Sequence, residues 1–107
     1  MSKVDEKVVE ELRIKHGEVV HLRDPETGSE IVARKPPRAA YKRFRSMAFD
    51  PKKQADAAEA LMVDCVVHPS RDEWNALLEQ YPALAETFAP EVLKLAGASQ
   101  SVDAKKY

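Results

Sequence analysis

The sequence predicts an α+β fold, mainly α-helical, with a small N-terminal β-hairpin followed by four or five helices. Three observations carry this expectation. Residues 18–35 alternate apolar and polar on either side of the turn-forming run Asp24-Pro25-Glu26-Thr27-Gly28-Ser29. Beyond Pro36-Pro37 the apolar residues recur at helical spacing almost to the end. Residues 57–67 are the most apolar run in a hydrophilic chain, with Ala58, Leu61, Met62 and Cys65 on one helical face and Ala60, Val63 and Val67 on a second. A helix that is apolar most of the way round sits inside a small fold with neighbours on several sides.

Bulk properties narrow the function classes. At 107 residues the chain is expected to form one domain over 1–97, with the hairpin at about 18–35 and the helical part at about 38–97. Hydrophobic residues make up 44% and charged residues 33%, which fits a globular chain on the polar side. A formal net charge of −1 gives the whole molecule no strong attraction to nucleic acid or acidic membranes. The single cysteine, Cys65, cannot form an internal disulfide. No apolar signal core opens the chain, and no run approaches the roughly 18 apolar residues of a membrane span, so a cytoplasmic location is the expectation.

Taken in order, residues 2–12 place Val4, Val8, Val9 and Leu12 at helical spacing, a short amphipathic helix made of mediocre helix formers. Leu12, Ile14 and His16 alternate instead, as an early strand would, until Gly17 breaks the pattern. Two strands follow, 18–23 and 30–35, with Val20 and Leu22 sharing a face with Ile31 and Ala33. An isolated hairpin is marginal in water and needs cover from the helices or a third strand from a partner. Pro36-Pro37 stops the sheet, since neither residue can donate to a ladder. From 38 to 49, Ala40, Tyr41, Phe44, Met47 and Ala48 form an apolar face, with Arg38, Lys42 and Arg45 opposite.

Asp50-Pro51 reads as the N-cap and first residue of the central helix, which is expected to run to about Val67 and end at Pro69. Ser70-Arg71-Asp72-Glu73 has the form of a capping box. The helix behind it, 71 to about 80, carries Trp74, Leu77, Leu78 and Tyr81 on one side. Pro82 opens a last helical segment with Leu84 and Phe88. Pro90 is expected to break or kink it, and Gly97 to cap its continuation. Residues 98–107 lack a core-forming pattern and are expected to be a flexible tail.

No catalytic, cofactor or metal site assembles from these residues. Cys65 lies between helical apolar residues, whereas a reactive thiolate needs an electropositive, partly open setting. His16, His21 and His68 show no paired ligand spacing; a site of His68, Cys65 and an acid would have to be built by the fold. Asp72 and Glu73 sit where acids offset a helix macrodipole, which accounts for them without acid–base chemistry. Three scattered glycines form no phosphate loop. The sharpest charge feature is Arg34, Lys35, Arg38, Lys42, Arg43 and Arg45, six cations with no acid between them. Such a stretch meets an acidic protein surface, is simply solvated, or, as the least favoured binding reading, holds a phosphate backbone.

Three segments together carry a resemblance. They are Glu30-Ile31-Val32-Ala33-Arg34-Lys35-Pro36 leading into Tyr41-Lys42-Arg43-Phe44; Leu61-Met62-Val63-Asp64-Cys65-Val66-Val67-His68-Pro69; and Leu77-Leu78-Glu79-Gln80-Tyr81-Pro82-Ala83-Leu84, closing on Leu95-Ala96-Gly97. In this order the chain resembles the small tail assembly chaperones and related tail-region proteins of double-stranded DNA phages and prophages. The resemblance spans most of residues 12–97. It implies a non-enzymatic protein of the bacterial host cytoplasm that binds the long helical tape measure protein and keeps it soluble until tube subunits polymerise around it.

The resemblance also implies contact with the tail tube protein through a frameshift-extended form, for which Ala104-Lys105-Lys106 is compatible with an A-rich slippery run. A homo-oligomer is one way to present enough apolar surface. Tyr41, Phe44, Trp74, Leu78, Tyr81 and Phe88 become the candidate partner-binding residues, since large apolar and aromatic side chains dominate interfaces. For each the alternative is a place in the core. Two other functions stay open: a virion structural or completion protein of the head–tail region, and a small nucleic-acid-binding regulator using residues 34–45.

Overall fold

In the computed structural model the structure describes residues 4–98 and 103–106. Helix α1 (Glu6–His16) comes first, then strands β1 (Val19–Arg23) and β2 (Glu30–Arg34), and helix α2 (Arg38–Ala48). A 3-10 turn (Gln54–Asp56) leads into α3 (Ala57–Cys65), which passes directly into strand β3 (Val66–His68). Helices α4 (Arg71–Gln80) and α5 (Leu84–Leu95) complete the fold. The flexible tail expected over 98–107 lies in part outside the described residues.

This corrects the expected architecture, though it remains an α+β mixture. The short helix expected ahead of the hairpin is present as α1, but the hairpin is two-thirds of a three-stranded antiparallel sheet in the order β1-β2-β3, not a lone hairpin followed by helices. The third strand comes from this chain, out of residues expected to end the central helix. Val66 and His68 pair with Ala33 and Val32, with a register irregularity between. The reason is partly local and partly tertiary. Val66 and Val67 are β-branched, and the proline at 69 favours extended backbone at His68. The outer edge of β2 also offers ladder partners that continued helix would leave unpaired.

The hairpin is built as expected. Val20 and Leu22 lie opposite Ala33 and Ile31, and Gly28 takes φ +76° in the turn. Asp24 organises that turn: its carboxylate accepts from the Glu26 amide at 3.0 Å and from the Thr27 hydroxyl at 3.0 Å. Ile31 and Ala33 enter the main core, while Val32, on the opposite sheet face, is also fully buried. Helix α1 packs against β1 and β2, and buried Val4 lies just ahead of it. The sheet therefore has cover on both faces.

Helix α3 is central, as expected, touching α2, α5 and β2. Leu61, Met62 and Cys65 are buried, joined in one cluster by Trp74, Leu84, Ala85, Phe88, Ala89 and Val92. It starts later than Asp50-Pro51 implied. Asp50 instead accepts from the Lys52 amide at 2.9 Å and holds a turn ahead of the 3-10 segment.

At the other helix ends local chemistry decides. The Asp5 carboxylate accepts from the Val8 amide at 2.9 Å, so α1 starts at Glu6 and persists to Gly17, excluding the early strand. The Ser70 hydroxyl accepts from the Glu73 amide at 3.3 Å and donates to the Glu73 carboxylate at 3.2 Å. Pro90 does not break α5, which is continuous from Leu84 to Leu95. Pro90 and Glu86, one turn before it, are both exposed, so water can reach the carbonyl that Pro90 leaves without an amide. Gly97, at φ +94°, closes the helix, with the Ala98 amide on the Leu93 carbonyl and the Gly97 amide on that of Lys94.

Candidate protein-binding surface

The basic stretch separates into two parts with different roles. Arg34, at the end of β2, donates from Nε to the Asp64 carbonyl at 3.0 Å. Arg43, on α2, reaches the Asp64 carboxylate at 3.3 Å. One residue at the end of α3 thereby ties together β2, α2 and α3. Lys35, Arg38, Lys42 and Arg45 are exposed, and none forms an ion pair among the described residues.

On α2 the exposed cations are in register. Arg38, Lys42 and Arg45 stand at i, i+4 and i+7, and Phe49, the residue that ends the helix, continues the stripe at i+11. Phe49 is 82% exposed, the most exposed large hydrophobic residue among those described. Lys52 and Lys53, also exposed, follow it in the turn. The helix carrying this stripe differs from the others in its first turn. Helices α1, α3, α4 and α5 each place an acid there. Helix α2 has none, and it opens on Arg38, where the macrodipole disfavours a cation by about 0.3–1 kcal/mol. Departures from local consistency of this kind concentrate at functional sites.

The six partner-binding candidates scatter. Trp74 is 1% exposed and Phe88 3%, so both are core residues. Phe44, Leu78 and Tyr81 are half-buried and pack against the core. Half-buried Tyr41 stands beside Phe44, ring centroids 6.4 Å apart and tilted by 39°. The structure brings Tyr41 and Phe44 onto one helix with the cation stripe, but on its inner side. Phe49 was absent from the sequence-derived candidates. Its signal was legible all the same: it falls four residues after Arg45 and seven after Lys42, in phase with the cations rather than with Phe44.

Cys65 is fully buried, and desolvation pushes its thiol up to about 11, with the Arg34 charge pulling the other way and Asp64 adding to the rise. A nucleophilic thiolate needs the opposite environment. Three residues on, His68 Nε2 is buried, as is Trp74 Nε1, neither with a hydrogen-bond partner among the described residues. No group of three or more His, Cys, Asp or Glu side chains is placed to hold a metal ion among the described residues. His21 stands 3.3 Å from Glu30 across the hairpin. No helix among the described residues is long and apolar enough to cross a membrane.

Comparison with known proteins places the fold. The solved structure of an uncharacterised protein, rbstp2171, from Bacillus stearothermophilus superposes with a TM-score of 0.77 at 23% identity, covering 91% of this chain and 99% of that one. At that identity the likeness concerns the fold alone. No curated protein matches by sequence. Residues 12–105, from the second half of α1 onward, match the family described as a domain of unknown function, DUF6848, and the chain belongs to that family.

Proposed function

We propose that this protein is a non-enzymatic tail assembly chaperone of a phage or prophage, acting in the host cytoplasm. It binds the tape measure protein and keeps it soluble until tube subunits polymerise around it. One observation carries the reading: Phe49, 82% exposed, ends the outward stripe of α2. A phenyl ring this exposed, in line with a cation row, can anchor another polypeptide, because covering it removes on the order of 150 Å² of aromatic surface from solvent. Rigid aromatic anchors of this type dominate protein interfaces.

The test is co-expression with a tape measure protein from the genome that encodes this chain; a genome without one would overturn the proposal. The expected result is soluble client recovered in complex with the wild-type chain. Phe49→Ser should recover less than a tenth as much, with an unchanged thermal midpoint. Mass spectrometry of purified virions should find the client and not the chaperone. Client that stays equally soluble without this protein would overturn the proposal. So would stoichiometric incorporation of this chain into virions, which would favour a structural protein of the head–tail region.

A further inference from the structure

We infer that the α2 stripe receives an acidic amphipathic helix of the client, whose carboxylates meet Arg38, Lys42, Arg45, Lys52 and Lys53 and whose apolar side covers Phe49. The inference rests on the chaperone reading and adds the chemistry of the docked segment. Charge is segregated along this chain far more sharply than its net −1 suggests. Residues 34–53 hold eight cations and one acid, leaving nine cations and seventeen acids to the other 87 residues. Two of the eight, Arg34 and Arg43, are held by Asp64. The remaining six are exposed, and none of them is in an ion pair among the described residues.

The shape of this surface selects among acidic partners. From Arg38 to Phe49 the stripe runs eleven helical steps, about 16 Å. That matches three turns of a partner helix laid alongside. A nucleic acid is a poorer fit, because a long polyanion extends past the stripe and meets a remainder of the molecule that is net acidic. The apolar residue at the end of the cation row also calls for a partner that mixes carboxylates with an apolar edge. Cations fix orientation and speed encounter, and the aromatic supplies the desolvated contact.

The probe is a fluorescein-labelled 21-residue peptide with Leu at heptad positions a and d and Glu at the others, followed by anisotropy against the full chain. Its twin carries Lys in place of Glu, and a labelled 20-mer of thymidylate is the third ligand. The acidic peptide should bind, weakening at least fivefold between about 50 and 300 mM salt, as charge screening requires. The Lys peptide should bind at least tenfold more weakly. Arg45→Glu combined with Lys42→Glu should abolish binding, Phe49→Ser should weaken it at least tenfold, and Arg45→Lys should retain it. Circular dichroism melts confirm that each variant folds.

Equal binding of both peptides, or unchanged binding by the folded charge-reversed variant, overturns the inference. Tighter binding of the oligonucleotide, displaced by neither peptide, overturns it in favour of nucleic acid. The two readings fail separately. If the charge-reversed variant still solubilises the client like wild type while Phe49→Ser does not, the docking mode falls and the chaperone stands. If the acidic peptide binds as described but no client is retained, the chaperone falls and the surface stands.

Discussion

Cys65 gives a direct solution measure of how tightly the core closes at the junction of α3 and β3. Its side chain is 0% exposed, and burial raises the thiol from an ordinary 9.0 to about 11. Two measurable consequences follow from these values. First, a disulfide reagent such as dithiobis-nitrobenzoate cannot touch the sulfur until the fold opens. If opening costs about 5 kcal/mol, labelling at pH 8 is slower than in the unfolded chain by several thousandfold. Second, the native state keeps the thiol proton at pH values where the unfolded chain has lost it. Stability contributed by this group is therefore fully present below pH 9 and falls as pH rises towards 11. The slope is about 1.36 kcal/mol per pH unit, for a loss on the order of 2–3 kcal/mol.

Other groups titrate in the same range, so the comparison must be differential. Cys65→Ala removes the thiol and costs about 1 kcal/mol through the small void it leaves. At pH 8 wild type should be the more stable by that amount in urea melts. By pH 11 the order should reverse, since only wild type loses the ionisation term. Native labelling within tenfold of the rate in 6 M urea would refute the burial argument. A wild-type-minus-variant gap that stays constant from pH 8 to 11 would refute the pKa argument.

Two further expectations concern stability. Trp74→Ala should destabilise by about 3–5 kcal/mol, because Trp74 is 1% exposed at the centre of the main cluster; a loss under 1 kcal/mol in denaturant melts would move it out of the core. The two arginines on Asp64 should differ. Arg43→Ala breaks a pair whose partners are 56% and 27% exposed and should cost under about 1 kcal/mol, whereas Arg34→Ala strips a part-buried backbone carbonyl of its donor and should cost about 1–3 kcal/mol. Equal losses in the two variants would contradict that division of roles.

Features set by neighbouring residues were legible from the sequence alone. The Asp24–Ser29 turn, the Ser70 cap, the Gly97 stop and the apolar face of the central helix all rest on groups within a few positions of one another. Such interactions exist whatever the rest of the chain does. The third strand was not legible. Val66-Val67-His68 sits at the end of a strongly helical apolar run, and only the free edge of β2, more than thirty residues earlier, turns those residues into a strand. The fate of the aromatics was decided in the same way. Trp74 and Tyr81 share one predicted helical side, yet Trp74 is buried in the cluster it shares with α3, α5 and β2 residues while Tyr81 stays half-buried.

The candidate surface divides along the same line. The row Arg38, Lys42, Arg45 and Phe49 is written in the spacing, because side chains seven and eleven residues apart share a helix face in any fold. That Arg34 and Arg43 are spent on Asp64, and that Phe49 stays 82% exposed, depends on where α3 lies against α2. Local chemistry sets which groups a helix presents. Long-range packing, which must place every buried apolar face against another, sets which of them remain for a partner.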